Sequence, residues 1–322
     1  MAFPPTKVPT RIMIISDTHN YQFGTPPIPL PLSLSNIPPN IDVLLHCGDL
    51  TERGALSEYR GALLMLQQIP AKLKLVIGGN HDRTLDLAWV KRNLGFPYTT
   101  EEEEEDLGEW REANNIMRGE MAREAGVTYL EEGVYDFNLQ NGAALRVYAS
   151  PYTPEYCRFG WAYERDEDRF NGAEERDVGM KGVDGSVRIT SFAEDEDGRH
   201  IDIVMTHGPP MNILDKCDGY AQRHVGCSSL LRALGRARPR LFCCGHIHEA
   251  HGAGVARWGI EGVEEMRKVE CQWPSLNREI IEEGKETLMV NASIMDVKNR
   301  PVNKPWYVEL DLPKAIAAEV GR

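Results

Sequence analysis

The chain has 322 residues, 42% of them hydrophobic and 26% charged, with a formal net charge of −13. These values fit a soluble globular protein, and so acidic a surface argues against a broad grip on nucleic acid or anionic lipid. A small phosphate ester stays open, because bound cations can dominate a local field.

In chain order, the first predicted strand runs from Arg11 to Ser16 and delivers Asp17 and His19. Six prolines between Pro26 and Pro39 forbid a helix interior there and mark an extended loop over that end. Ile41 to Cys47 is a second strand, ending in Gly48-Asp49. Helical spacing of apolar residues from Ala55 to Ile69 predicts an amphipathic crossover helix. Leu73 to Ile77 is a third strand, ending in Gly79-Asn80-His81-Asp82, with another helix beginning at Leu85 to Lys91. Six consecutive acidic residues, Glu101 to Asp106, open a polar helical stretch reaching Ala125. Further strands follow at Leu145–Ala149, Ile201–Met205, Leu241–Cys244, Leu288–Val290 and Trp306–Leu310. The early strand–helix alternation signals βαβ units, and the short later strands point to two sheets. We read a single α/β domain over 1–322, with surface insertions near 99–125, 163–200 and 260–287.

No apolar stretch approaches the ~18 residues that span a bilayer. The opening MAFPPTKVPT lacks a signal-type apolar centre, so the expected compartment is the cytosol. Seven cysteines form no CxxC pair, which suggests reduced thiols. Cys47, Cys243 and Cys244 lie inside apolar runs and read as small core residues, as does His46.

Five apolar runs end in metal-binding side chains: Asp17 and His19, Asp49, Asn80 and His81, His207, and His246 and His248. Asp, Asn and His suit divalent cations, and Asp can bridge two of them. On an extended segment, residues two apart face one way, so Asp17 with His19, and His246 with His248, are each predicted to share a face. Asp82 either orients the His81 ring, or caps the following helix or forms a local salt bridge.

The order D-x-H, G-D, G-N-H-D, H, G-H-x-H resembles the calcineurin-like metallophosphoesterases. Ser150-Pro151-Tyr152, Thr206-His207-Gly208-Pro209-Pro210 and Gly245-His246-Ile247-His248-Glu249 are similar to the metallophosphoesterase domain-containing family, related to the brain-expressed 239 proteins. The resemblance implies a four-layer α/β/β/α sandwich of two mixed β-sheets flanked by helices. It also implies two divalent metal ions (Mn, Fe or Zn), one held by Asp17, His19 and His248 and the other by Asn80, His207 and His246. Asp49 would bridge them, and His81 would lie over the scissile phosphate as catalytic general acid or transition-state stabiliser. The function expected is hydrolysis of small phosphodiesters such as cyclic nucleotides through a metal-bridging hydroxide. A phosphomonoesterase or protein phosphatase, or a low-activity binding module, is the alternative. Gly48-Asp49-Leu50-Thr51-Glu52-Arg53-Gly54 also echoes the G-D-x-x-D-R-G of serine/threonine phosphatases. Arg53 is therefore a substrate-binding candidate, or else a solvated helix-start residue. Arg158 and His251 are further candidates, each with an ordinary loop role as its rival. A small phosphoester is the expected partner; neither a long nucleic acid nor a membrane is.

Overall fold

A computed structural model describes residues 7–24, 30–93, 100–192, 199–218, 223–260 and 262–315, with side chains left out at 100–106. Two β-sheets dominate. In the first, Lys7–Ile15, Ile41–His46, Ala71–Val76 and Val127–Tyr129 run parallel in that order, and Trp306–Pro313 pairs antiparallel with Lys7–Ile15. In the second, Ala144–Ser150, Ile203–Thr206, Leu241–Cys244 and Glu286–Asn291 run parallel. Gly133–Asn138 flanks that set on one side, and Gly252–Trp258 then Val263–Val269 on the other, all antiparallel.

The period-two alternation of the strands builds the layers. Ile12, Ile14, Val43, Leu45 and Leu75 face inward and meet Val147, Ile203, Met205, Leu241 and Val290 of the other sheet in one core. Their neighbours Met13, Ile15, Leu44 and Val76 face outward, against Tyr59, Ala62, Leu63 and Leu66 of the helix Leu56–Gln67. On the far side Tyr148, Val204, Phe242 and Met289 pack under Leu230, Ala233 and Leu234 of the helix Ser228–Ala237. The result is a four-layer α/β/β/α sandwich. Strands buried on both faces read as continuous apolar runs, which is why these were visible in the sequence.

The polar stretch after residue 99 forms a helix, Thr100–Arg118, and a short one, Glu120–Glu124. Ala113, Ile116 and Met117 are buried against the outer face of the first sheet. In 163–200, Phe170 and Ile189 reach the outer core of the second sheet. In 260–287, Val263–Val269 forms that sheet's edge strand. The helix expected from Leu85 starts later, at Leu87, after a 3-10 turn at Arg83–Leu85. Among the described residues, no helix is long and apolar enough to cross a membrane.

Both sets of parallel strands end at one edge, where backbone bonds join the sheets. Ser16 N–H donates to the Ala292 carbonyl (2.9 Å), and Ile294 N–H donates to the Ser16 carbonyl (3.0 Å).

Candidate metal centre

The strand Lys7–Ile15 stops before Asp17, and the following backbone is not extended. Asp17, His19, Asp49 and His246 have φ of 51°, 40°, 55° and 67°. This corrects the expectation of period-two geometry: left-handed turns, not strand alternation, bring the side chains inward. Such turns cost a non-glycine residue about 1–2 kcal/mol each, and their clustering marks a site where strain is held by the surroundings. Glycines permit the crowding. A Cβ on Gly245 would lie 2.0 Å from Ser16 Oγ and 2.1 Å from Asp17 Oδ2.

Acceptor atoms converge in the middle. His248 Nε2 is 3.3 Å from Asp17 Oδ1 and 3.4 Å from His19 Nε2. Asp49 sits between the imidazoles, with His207 Nε2 3.4 Å from Oδ1 and His19 Nε2 3.7 Å from Oδ2. Asn80 Oδ1 is 2.8 Å from both His207 Nε2 and His246 Nδ1. Asp17, His19 and His248 offer ligand atoms within 4.8 Å of one another; so do Asp17, Asp49 and His207, and so do His19, Asp49 and His81.

The tautomers follow from the outer partners. A carbonyl can only accept, so Nδ1 of His19 donates to Thr51 (3.0 Å), Nδ1 of His207 to Cys47 (2.8 Å) and Nδ1 of His248 to Asp296 (3.1 Å). Each ring therefore turns Nε2 to the centre. Two carboxylates and three imidazole nitrogens without a resident positive charge would repel one another, so protons or cations must occupy the centre. The titration behaviour says the same. Burial works against charge on His207, yet the charge of Asp49 and its hydrogen bond push it up to about 9. Burial likewise opposes charge on His248, and Asp17 raises it to about 9. Burial would raise Asp17 and Asp49, but His248 and His207 hold them below the usual carboxylate range. His246 falls to about 3 through burial and the neighbouring His207 charge. The donor set fits divalent cations.

A continuous run of carbonyls supports the centre. Cys47 accepts from the His207 ring; Gly48, Asp49 and Leu50 accept from the amides of Asp17, His19 and Asn20. Thr51 accepts from the His19 ring, Glu52 from His81 Nδ1 (2.7 Å), Arg53 from the Arg83 guanidinium and Gly54 from the Thr84 hydroxyl. Glu58 pins this loop to the helix start by accepting from the amides of Glu52, Arg53 and Ala55. Asp82 takes a role other than those expected of it. Its fully buried carboxylate accepts from Gly79 N, Leu50 N, Thr51 N and Thr51 Oγ1, tying two ligand loops together. His46 is a core histidine, paired with Thr18 Oγ1 (2.9 Å) and lowered to about 4 by burial.

A cavity of about 400 Å³ opens from Asp49, Asn80, His81, His246 and His248 to an outer wall containing Tyr156, Phe159, Arg165 and Glu249. Arg53, Arg158 and His251 are not among its lining residues. Arg53 borders a separate depression with Arg83 and Trp89. The Arg158 carbonyl accepts from Trp89 Nε1, and His251 Nε2 donates to the Lys304 carbonyl. Sequence reasoning pointed to the segment from Arg158 to Trp161 and to an arginine with aromatics nearby, but did not name Tyr156, Phe159 or Arg165 as site residues.

An α/β/β/α sandwich with carboxylates and imidazoles gathered at the shared strand edge is the architecture of a metallophosphoesterase. Residues 10–250 match the calcineurin-like phosphoesterase family, and the chain belongs to it. Metallophosphoesterase domain-containing protein 1 of Homo sapiens is 27% identical over 311 residues, covering 95% of this chain and 72% of that protein. A UPF0046 protein of Caenorhabditis elegans is 27% identical over 317 residues, covering 94% of this chain and 82% of that one. A protein of Vesicomyosocius okutanii named a probable cyclic nucleotide phosphodiesterase is 34% identical over 117 residues, covering 36% of this chain and 46% of that one.

Proposed function

We propose that this phosphoester hydrolase is a phosphodiesterase acting on small phosphodiesters, with cyclic nucleotides the expected class. Asp17, His19 and His248 would hold one cation and Asn80, His207 and His246 a second, with Asp49 shared. The observation that carries this reading is the convergence of two carboxylates, Asp17 and Asp49, with three imidazoles, His19, His207 and His248, whose outer nitrogens are committed to backbone carbonyls. When bound, two divalent cations supply Lewis-acid stabilisation of phosphate charge and acidify water. Manganese, iron and zinc all suit these nitrogen and oxygen donors.

His81 performs the proton work. Its Nδ1–H is fixed by the Glu52 carbonyl, which leaves Nε2 for the cavity, and the His81 amide donates to Asp49 Oδ1 (2.8 Å). From there the ring can protonate a leaving alkoxide. The net charge of −13 favours a compact substrate over a long polyanion. The test compares bis(4-nitrophenyl) phosphate with 4-nitrophenyl phosphate on manganese-reconstituted protein, with elemental analysis alongside. The diester should be hydrolysed faster, with two metal ions per chain. Activity no higher than that of Asp49→Asn would end the reading.

A further inference from the structure

Tyr156 is 60% exposed at the mouth of the cavity, an unusual place for an aromatic ring held in water. Its ring lies 6.4 Å from that of Phe159 at only 10° between planes. Phe159 in turn packs 4.7 Å from His81, so the aromatic wall begins beside the proposed proton donor. The backbone enforces this arrangement. Cys157 and Arg158 adopt left-handed φ of 54° and 58°, turning the chain sharply between the two rings. Gly160 N–H donates to the Asn80 carbonyl (3.0 Å), Trp161 N–H to Asp86 Oδ2 (2.7 Å) and Trp89 Nε1 to the Arg158 carbonyl (2.9 Å). The loop is therefore tied to the same segment that carries Asn80 and His81, and the rings are fixed relative to the reacting centre.

The geometry points to a stacking shelf: Tyr156 and Phe159 receive a planar aromatic group of the substrate, of nucleobase type, while its phosphate lies at the cation site. Nearly parallel rings present faces of one orientation, which suits an offset-stacked planar partner. An acyl chain gains nothing from that alignment, and the charged Arg165 and Glu249 on the same wall oppose a lipid tail. The inference rests on the centre being a phosphoester site, and it names the part of the molecule that selects the ester.

Calorimetric binding of AMP and ribose 5-phosphate to the manganese-loaded protein tests it, because the two ligands differ by the base. Stacking on an aromatic side chain is worth enough to make AMP bind tighter by about 5- to 150-fold. Tyr156→Ala should erase most of that difference, whereas Tyr156→Trp should keep or enlarge it. Equal binding of the two ligands by the unaltered protein overturns the shelf. So does an AMP preference that survives Tyr156→Ala and Phe159→Ala, or octyl phosphate gaining as much as AMP. If the AMP preference holds but no phosphodiester is cleaved, the phosphodiesterase reading fails and the shelf stands.

Discussion

Replacing Asp82 by asparagine changes one buried oxygen to an NH2 group and asks what the carboxylate holds. Oδ2 accepts from Gly79 N (2.9 Å) and Leu50 N (3.2 Å); Oδ1 accepts from Thr51 N (3.0 Å) and Thr51 Oγ1 (2.8 Å). The amide will keep its oxygen on the Oδ2 side, where two backbone donors converge. Its NH2 then meets Thr51, whose hydroxyl can turn to accept, but the Thr51 N–H is left without a partner. One unsatisfied buried donor costs about 1–3 kcal/mol, a fall of about 1.5–4.5 °C in Tm for a chain of this length. Because Thr51 also holds the His19 ring, manganese affinity should drop by about 10- to 100-fold. Thermal unfolding with chelator gives the first number, and manganese titration by calorimetry gives the second. An Asp82→Asn variant that melts and binds manganese as the parent does would refute the tie between the loops.

In the cation-free centre His207 and His248 titrate at about 9, so both carry a proton at pH 7 that a cation must displace. Metal uptake should release about two protons at pH 7 and fewer as pH rises through 9, read by calorimetry in buffers of different ionisation enthalpy; release below half a proton would contradict the charge balance argued here. Gly245→Ala places a methyl against Ser16 Oγ and Asp17 Oδ2. Overpacking of this kind costs about 1–3 kcal/mol, and equilibrium dialysis should show weaker metal binding; unchanged binding would mean the turn can relax freely. His81→Ala should lower kcat by about 10²- to 10⁴-fold with metal content intact, whereas a fall in metal content would make His81 a ligand instead.

The parallel strands and their terminal ligands were legible because each is a buried apolar run that stops at a chemically distinctive side chain. The flanking strands were not. Gly133–Asn138 alternates half-buried and exposed positions, and Val263–Val269 (VEEMRKV) is mostly exposed at a sheet edge, so neither carries the apolar signal of its neighbours. The helix in 100–118 was legible, but its polar character hid its packing against the sheet through Ala113, Ile116 and Met117 of its later turns. At the centre, residue types announced the ligands, but the means of bringing them together lies in left-handed φ angles and backbone acceptors, which have no letter in the sequence. The cavity wall was half seen: Arg158 was singled out, while Tyr156 and Phe159 line the cavity.

The unbroken series of carbonyls from Cys47 to Gly54 has a consequence for how such loops change over time. Every residue in it offers the same C=O whatever its side chain, so Glu52 and Arg53 can be exchanged while the rings of His19 and His81 keep their acceptors. The backbone path of a phosphatase-like motif in this stretch is thus kept by its carbonyls, while the Arg53 side chain borders a separate depression. Relatives can drift at these two positions without losing the centre, and a side chain that later acquires a role there would find the scaffold already in place.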